Sequence, residues 1–127
     1  MKITNLDHMV LTVTNLNKSR KFYQDILNLD FIESNNGSYN FKVGSSLIKM
    51  RTQTNESDSI VAANLEPGAF DFCLETATPL QDVMDELNEK HIPIELGPVK
   101  RHGVKGIMHS VYVRDPDKNL VEICSYN

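Results

Sequence analysis

Apolar and polar residues alternate from Leu6 to Val13, with Met9, Leu11 and Val13 on one side and His8, Val10 and Thr12 on the other. A period of two is that of a strand with one buried face. Thr14 and Asn15 then offer a helix start, and Leu16, Phe22, Tyr23, Ile26 and Leu27 supply the apolar stripe of the helix that follows. Three short strand-like runs come next, at Leu29–Ser34, Tyr39–Val43 and Leu47–Arg51. Asn35-Asn36-Gly37 and Gly44-Ser45-Ser46 are the turn signals between them. Residues 54–67 lose this periodicity, are polar, and lead into Pro67-Gly68, so they read as a linker.

The order then repeats. Phe70 to Glu75 alternates as a strand. Thr78 is placed to cap a helix, with Pro79 at its first position, Gln81 completing a capping box, and Leu80, Val83, Met84 and Leu87 as its buried stripe. Ile92–Leu96 reads as a strand and residues 97–107 as a glycine-rich basic loop. His109–Arg114 and Leu120–Ser125 are the last strands, joined by the turn Asp115-Pro116-Asp117-Lys118-Asn119. Laying His8 on Asp71, Val10 on Cys73 and Thr12 on Glu75 aligns the halves, and Lys49 then falls on Glu122. The prediction is an α+β fold of two βαβββ modules, about residues 4–53 and 68–126, forming one domain. Its curved mixed sheets would make a cup with the helices outside.

Length and charge narrow the function classes. A chain of 127 residues buries a core without disulfide or metal staples. Its formal net charge of -4 and the lack of a dense Lys/Arg block argue against nucleic acid as a partner. No apolar run approaches a membrane span, and the first residues lack the apolar core of a signal peptide, so the expected setting is cytoplasmic. Cys73 and Cys124 match no zinc spacing and read as reduced thiols.

With each helix covering one face of its sheet, His8, Asp71 and Glu122 all belong to the opposite, inner faces. One imidazole and two carboxylates with open positions suit a divalent cation such as Zn, Mn, Fe(II), Ni or Co. A strand histidine in an ordinary setting, and ion pairs from Lys49 or Arg51 to the two acids, are the plainer alternatives. A carboxylate between Phe70 and Phe72 needs one partner or the other if it is buried. Lys100, Arg101, His102 and Lys105 decorate the predicted basic loop, either as a solvated surface or as a flap that closes on an anion.

LDHMVLTV, FYQDILNLDF, PGAFDFCLET and MHSVYVRDPDKNLVEICSY together resemble the vicinal oxygen chelate superfamily over nearly the whole chain, and small glyoxalase-domain proteins most of all. The DPD-x-N-x-x-E element is the most specific part. The resemblance implies metal ligation by His8, Asp71 and Glu122, with Asp71 where the family usually has His. It also implies a catalytic part for Glu122. The family's fourth ligand position falls at Lys49, a departure, since an ammonium repels a cation. Lys49 and Arg51 are then expected to grip an anionic part of a small-molecule substrate. Ser110 and Tyr112 match a Ser-x-Tyr pair that contacts substrate in the fosfomycin-modifying relatives. The expected function is glyoxalase- or dioxygenase-like action on a small oxygen-rich molecule, with the reaction left open. A metal-free sequestering protein of the bleomycin-resistance type and a fosfomycin-type thiol transferase are the alternatives. Relatives of this size pair, and open sheet edges need cover, so a homodimer is expected.

Overall fold

The computed structural model describes residues 1–33, 38–53 and 60–127. The chain forms two units, Met1–Gly68 and Ala69–Asn127. The predicted Asn35-Asn36-Gly37 turn and most of the first half of the predicted linker lie outside the described residues.

The first unit contains strands β1 (His8–Thr12), β2 (Asp30–Glu33), β3 (Tyr39–Val43) and β4 (Ser46–Arg51) in the order β1-β4-β3-β2. β1 runs parallel to β4, and the other neighbours are antiparallel. Helix α1 (Leu16–Lys21) starts at Asn15, whose side-chain oxygen accepts the Lys18 amide. That satisfies one of the amides a helix start leaves open. The helix does not run on as an α-helix. Phe22–Ile26 widens into a π-helical turn, closed by the Leu27 amide on the Phe22 carbonyl at 3.1 Å. Phe22 and Tyr23 are buried in it, and the Tyr23 ring lies 6.0 Å from that of Phe41. Leu11, Val13, Phe41, Ile48 and Met50 complete this core.

The second unit repeats the plan with β5 (Asp71–Glu75), α2 (Leu80–Glu89), β6 (Leu96–Gly103), β7 (Gly106–Arg114) and β8 (Leu120–Ser125), in the sheet order β5-β8-β7-β6. β5 is parallel to β8. Leu87 of α2 is buried, as are Val111, Val113, Val121 and Ile123 on the facing side of the sheet. The protein is therefore α+β, with two βαβββ modules each holding a four-stranded mixed sheet. Both modules even leave their helix through a left-handed residue, Asn28 at φ 58° and His91 at φ 59°.

Two local expectations change. Thr78 does not cap α2. Pro79 holds the cap position with ψ 138°, its carbonyl accepts the Asp82 and Val83 amides, and Gln81 turns to Asp85 instead of back to the cap. Pro79 is itself extended rather than helical, so the helix starts at Leu80 and Thr78 falls one residue before the cap. The strand read at Ile92–Leu96 lies further on. Ile92 still bonds to the Leu87 carbonyl at the helix exit, and β6 occupies Leu96–Gly103. A register shift between Leu96 and Val99 absorbs Gly97 and Pro98, residues that otherwise signal a loop.

Candidate functional site

Cross-strand register decides which side chains share a face. In the first sheet Val10 lies opposite Lys49, and Lys49 in turn opposite Asn40. His8 pairs with Leu47 and Thr12 with Arg51. Successive side chains alternate, so His8, Asn40, Lys49 and Arg51 occupy the face opposite Leu11, Phe41, Ile48 and Met50. In the second sheet the corresponding row is Cys73, Glu122 and Tyr112. The rows beside it are Asp71, Leu120 and Arg114 on one side and Glu75, Cys124 and Ser110 on the other. The ladders thus make Lys49 the repeat mate of Glu122, and Asn40 that of Tyr112.

Local hydrogen bonds set the state of each group. His8 is exposed, and its Nδ1 lies 2.8 Å from Asp7 Oδ1, which leaves Nε2 for another partner. Ser110 is fully buried and donates its hydroxyl to Glu122 Oε2 at 2.6 Å. Tyr112 Oη accepts from Arg101 Nε at 3.0 Å. Asp71 is exposed, and its charge adds to the field that raises the Arg114 pKa. Arg114 itself is gripped by Glu95, whose carboxylate it meets through Nε and Nη2, the latter at 2.8 Å. That contact is the first cause of the upward shift on Arg114 and of the downward shift on Glu95. Lys49 is half-buried, and its side chain makes no hydrogen bond or ion pair among the described residues. Asn40 is only 7% exposed, and its Oδ1 has no donor among the described residues.

Asp71 and Glu122 therefore share a face of one unit, and His8, Lys49 and Arg51 share a face of the other. Within either unit, no three His, Cys, Asp or Glu side chains among the described residues gather as a metal site requires. By donor type, imidazole and two carboxylates remain a fitting set for a borderline divalent cation.

The expected basic loop does not exist in that form. Lys100, Arg101 and His102 are strand residues of β6, with Arg101 turned to Tyr112. Lys105, in the tight turn after β6, pairs with Glu75 at 2.8 Å. The alternation in this stretch was masked by its glycines and proline. Gly103 lies close under two side chains: a Cβ there would meet the Tyr126 hydroxyl and lie 2.7 Å from Met108 Sδ, so both would have to shift.

Two features escaped the sequence reading. Asn40 was hidden as one polar residue in an alternating strand, and only the strand ladders make it the mate of Tyr112. Cys73 and Cys124, far apart in sequence, stand on neighbouring strands of one face. Desolvation, then the adjoining Cys124 thiol, then the Glu122 charge push the Cys73 thiol far above its usual range. Cys73 is exposed by area, yet the thiolate is the reactive form. Iodoacetamide at pH 8 is expected to alkylate it much more slowly than a free cysteine peptide. Alkylation at the peptide's rate would show that the sulfur is not held in that environment.

The paired modules and the polar faces opposite their helices define a small α+β protein of repeated βαβββ units. Residues 5–123 match the model of the Glyoxalase/Bleomycin resistance protein/Dioxygenase superfamily. The chain belongs to that superfamily. It is 36% identical over 126 residues to the virulence protein STM3117 of Salmonella typhimurium, covering 99% of this chain and 87% of the relative. It is 33% identical over 126 residues to the glyoxalase domain-containing protein RDO1 of Mycosarcoma maydis, covering 99% of this chain and 70% of that one. Among solved structures, an integron cassette protein from the mobile metagenome of V. cholerae superposes with a TM-score of 0.95 at 36% identity, covering 100% and 98% of the two chains.

Proposed function

We propose that the protein binds a small, oxygen-rich anion on the sheet faces opposite its helices. Lys49 carries this reading. It stands where the repeat places Glu122 in the other module, it shares a face with His8 and Arg51, and it has no partner among the described residues. An ammonium on a flexible stem, left without a protein carboxylate, is suited to a ligand's anionic oxygen. Ser110 and Tyr112 belong to the polar face of the second unit, with Ser110 orienting Glu122. The test is thermal unfolding of wild type and Lys49→Met with a panel of small carboxylates and phosphates. Wild type should be stabilised by some of them and the variant by none, while the unliganded midpoints stay close. Equal responses would sink the reading.

A second reading is supported by the hydrogen bonds behind two candidate ligands, Asp7 to His8 and Ser110 to Glu122. Such outer contacts orient metal ligands. In this reading His8, Asp71 and Glu122 hold a divalent Zn, Mn, Fe, Ni or Co ion, which supplies Lewis-acid polarisation of substrate oxygens. Glu122 is then also the catalytic carboxylate. Lys49→Glu would add a fourth ligand, the third carboxylate, and tighten binding of these ions in calorimetric titration. No binding by either wild type or Lys49→Glu would remove the metal from the proposal.

Assembly as a homodimer is part of the same proposal. Each sheet ends in two edge strands, β1 and β2 or β5 and β6, and a second copy is one means of covering such edges. A monomer mass by light scattering at micromolar concentration would reject it. No helix among the described residues is long and apolar enough to cross a membrane.

A further inference from the structure

The first unit holds an acceptor that the fold buries and leaves unused. Asn40 lies in the middle of β3, between Tyr39 and Phe41, and is 7% exposed. Its Oδ1 is inaccessible to solvent and receives no hydrogen bond among the described residues. Most buried polar side-chain atoms have a partner, and leaving one without is costly. Its direct cross-strand neighbour is Lys49, whose ammonium is also without a partner among the described residues. Side chains at such paired positions start about 5 Å apart at Cβ, close enough for one small molecule to meet both.

We infer that Asn40 and Lys49 form a two-point reader for an anion that also carries a hydrogen-bond donor. Lys49 takes the anionic oxygen, and the Asn40 side chain turns towards the ligand so that its Oδ1 accepts from a hydroxyl or N–H on the same molecule. The inference rests on the anion-binding reading above and adds a selectivity to it. A ligand lacking the donor leaves the Asn40 oxygen unpaired, so it binds more weakly even if its charge and size are the same. Asn40 is thus a specificity residue whose only service is to the ligand. That separates it from a structural asparagine, because its removal should not weaken the free protein.

The test uses the whole chain, labelled with 15N, and three related probes: propionate, lactate and 3-hydroxypropanoate. Amide shifts in β3 and β4 report binding. At least one hydroxy acid should bind about tenfold more tightly than propionate, the factor that one added hydrogen bond of about 1.4 kcal/mol supplies. Lys49→Met should weaken all three. Asn40→Leu, close in size, should abolish the preference, and should keep or raise the unfolding midpoint of the free protein. If Lys49→Met weakens all three probes but wild type does not distinguish them, the anion reading stands and the two-point reader falls. A clear fall in the midpoint of Asn40→Leu would show a structural role and overturn the inference too. If no probe binds wild type, or Lys49→Met leaves binding unchanged, both readings fall together.

Discussion

Asp115→Ala is expected to lower stability by roughly 3 kcal/mol or more, since the buried carboxylate collects several donors whose loss is not made good by water. Asp115 Oδ1 accepts the amides of Asp117 and Asn119, each at 2.9 Å, and Oδ2 accepts Asn119 Nδ2 at 2.8 Å. Asn119 is fully buried, and its Oδ1 receives the Phe70 amide at 2.9 Å. One turn between β7 and β8 therefore also fixes the entry to β5. Thermal unfolding should show a midpoint about 10 °C lower for the alanine variant. Asp115→Asn keeps one acceptor but turns an amide towards the Asn119 amide, so it should fall between the two. A midpoint within a degree or two of wild type for Asp115→Ala would mean that the network does not hold the turn.

Gly97→Ala should be comparably damaging, for a steric reason. Gly97 has φ +125°, a conformation that L side chains rarely adopt. A Cβ built there lies 2.6 Å from the Ser110 carbonyl oxygen and 2.9 Å from Val111 Cα. Both atoms are backbone of β7, so no rotamer change relieves the contact, and β6 must move away from its partner strand. The expected loss is about 3 kcal/mol or more, with little folded protein recovered at 37 °C. Gly106→Ala is the control. It too has positive φ, 107°, but nothing lies within 4 Å of its added Cβ, so it bears the backbone strain alone and should lose less. Equal midpoints for the two variants in denaturant would show that the close approach of β6 to β7 is not a constraint.

The most family-specific stretch of the sequence thus has a structural explanation. Asp115 and Asn119, which carry much of the resemblance, spend their polar atoms on the turn and on Phe70. Glu122, three residues further on, accepts the Ser110 hydroxyl at 2.6 Å and is the member of that stretch to which we assign ligand chemistry. A motif marks a fold when its groups are satisfied internally, and marks a site only when a group is left over.

Periodicity by itself determined the two modules, because alternation along β1, β5, β7 and β8 and the helical stripes require that one face of each element be buried. It also placed Lys49 and Arg51 on one side of their strand, and each of His8, Asp71 and Glu122 opposite the apolar residues of its own strand; the register across β1–β4 and β5–β8 then decided which of them share a face. Capping at Asn15 was legible because the chemistry is local: an oxygen within reach of the next turn's amide. What needed the tertiary structure was whatever depends on pairing across the sheet. Gly97-Pro98 looks like the end of a strand until β7 is laid beside it and the register shift takes up the irregularity. Arg101 reads as part of a loop until its strand brings it to Tyr112. Cys73 and Cys124 become neighbours only when β5 pairs with β8. Asn40 is an ordinary polar strand residue in the sequence. Only the folded chain shows its oxygen buried without a donor among the described residues, because burial and partnership are properties of the surroundings and not of the residue.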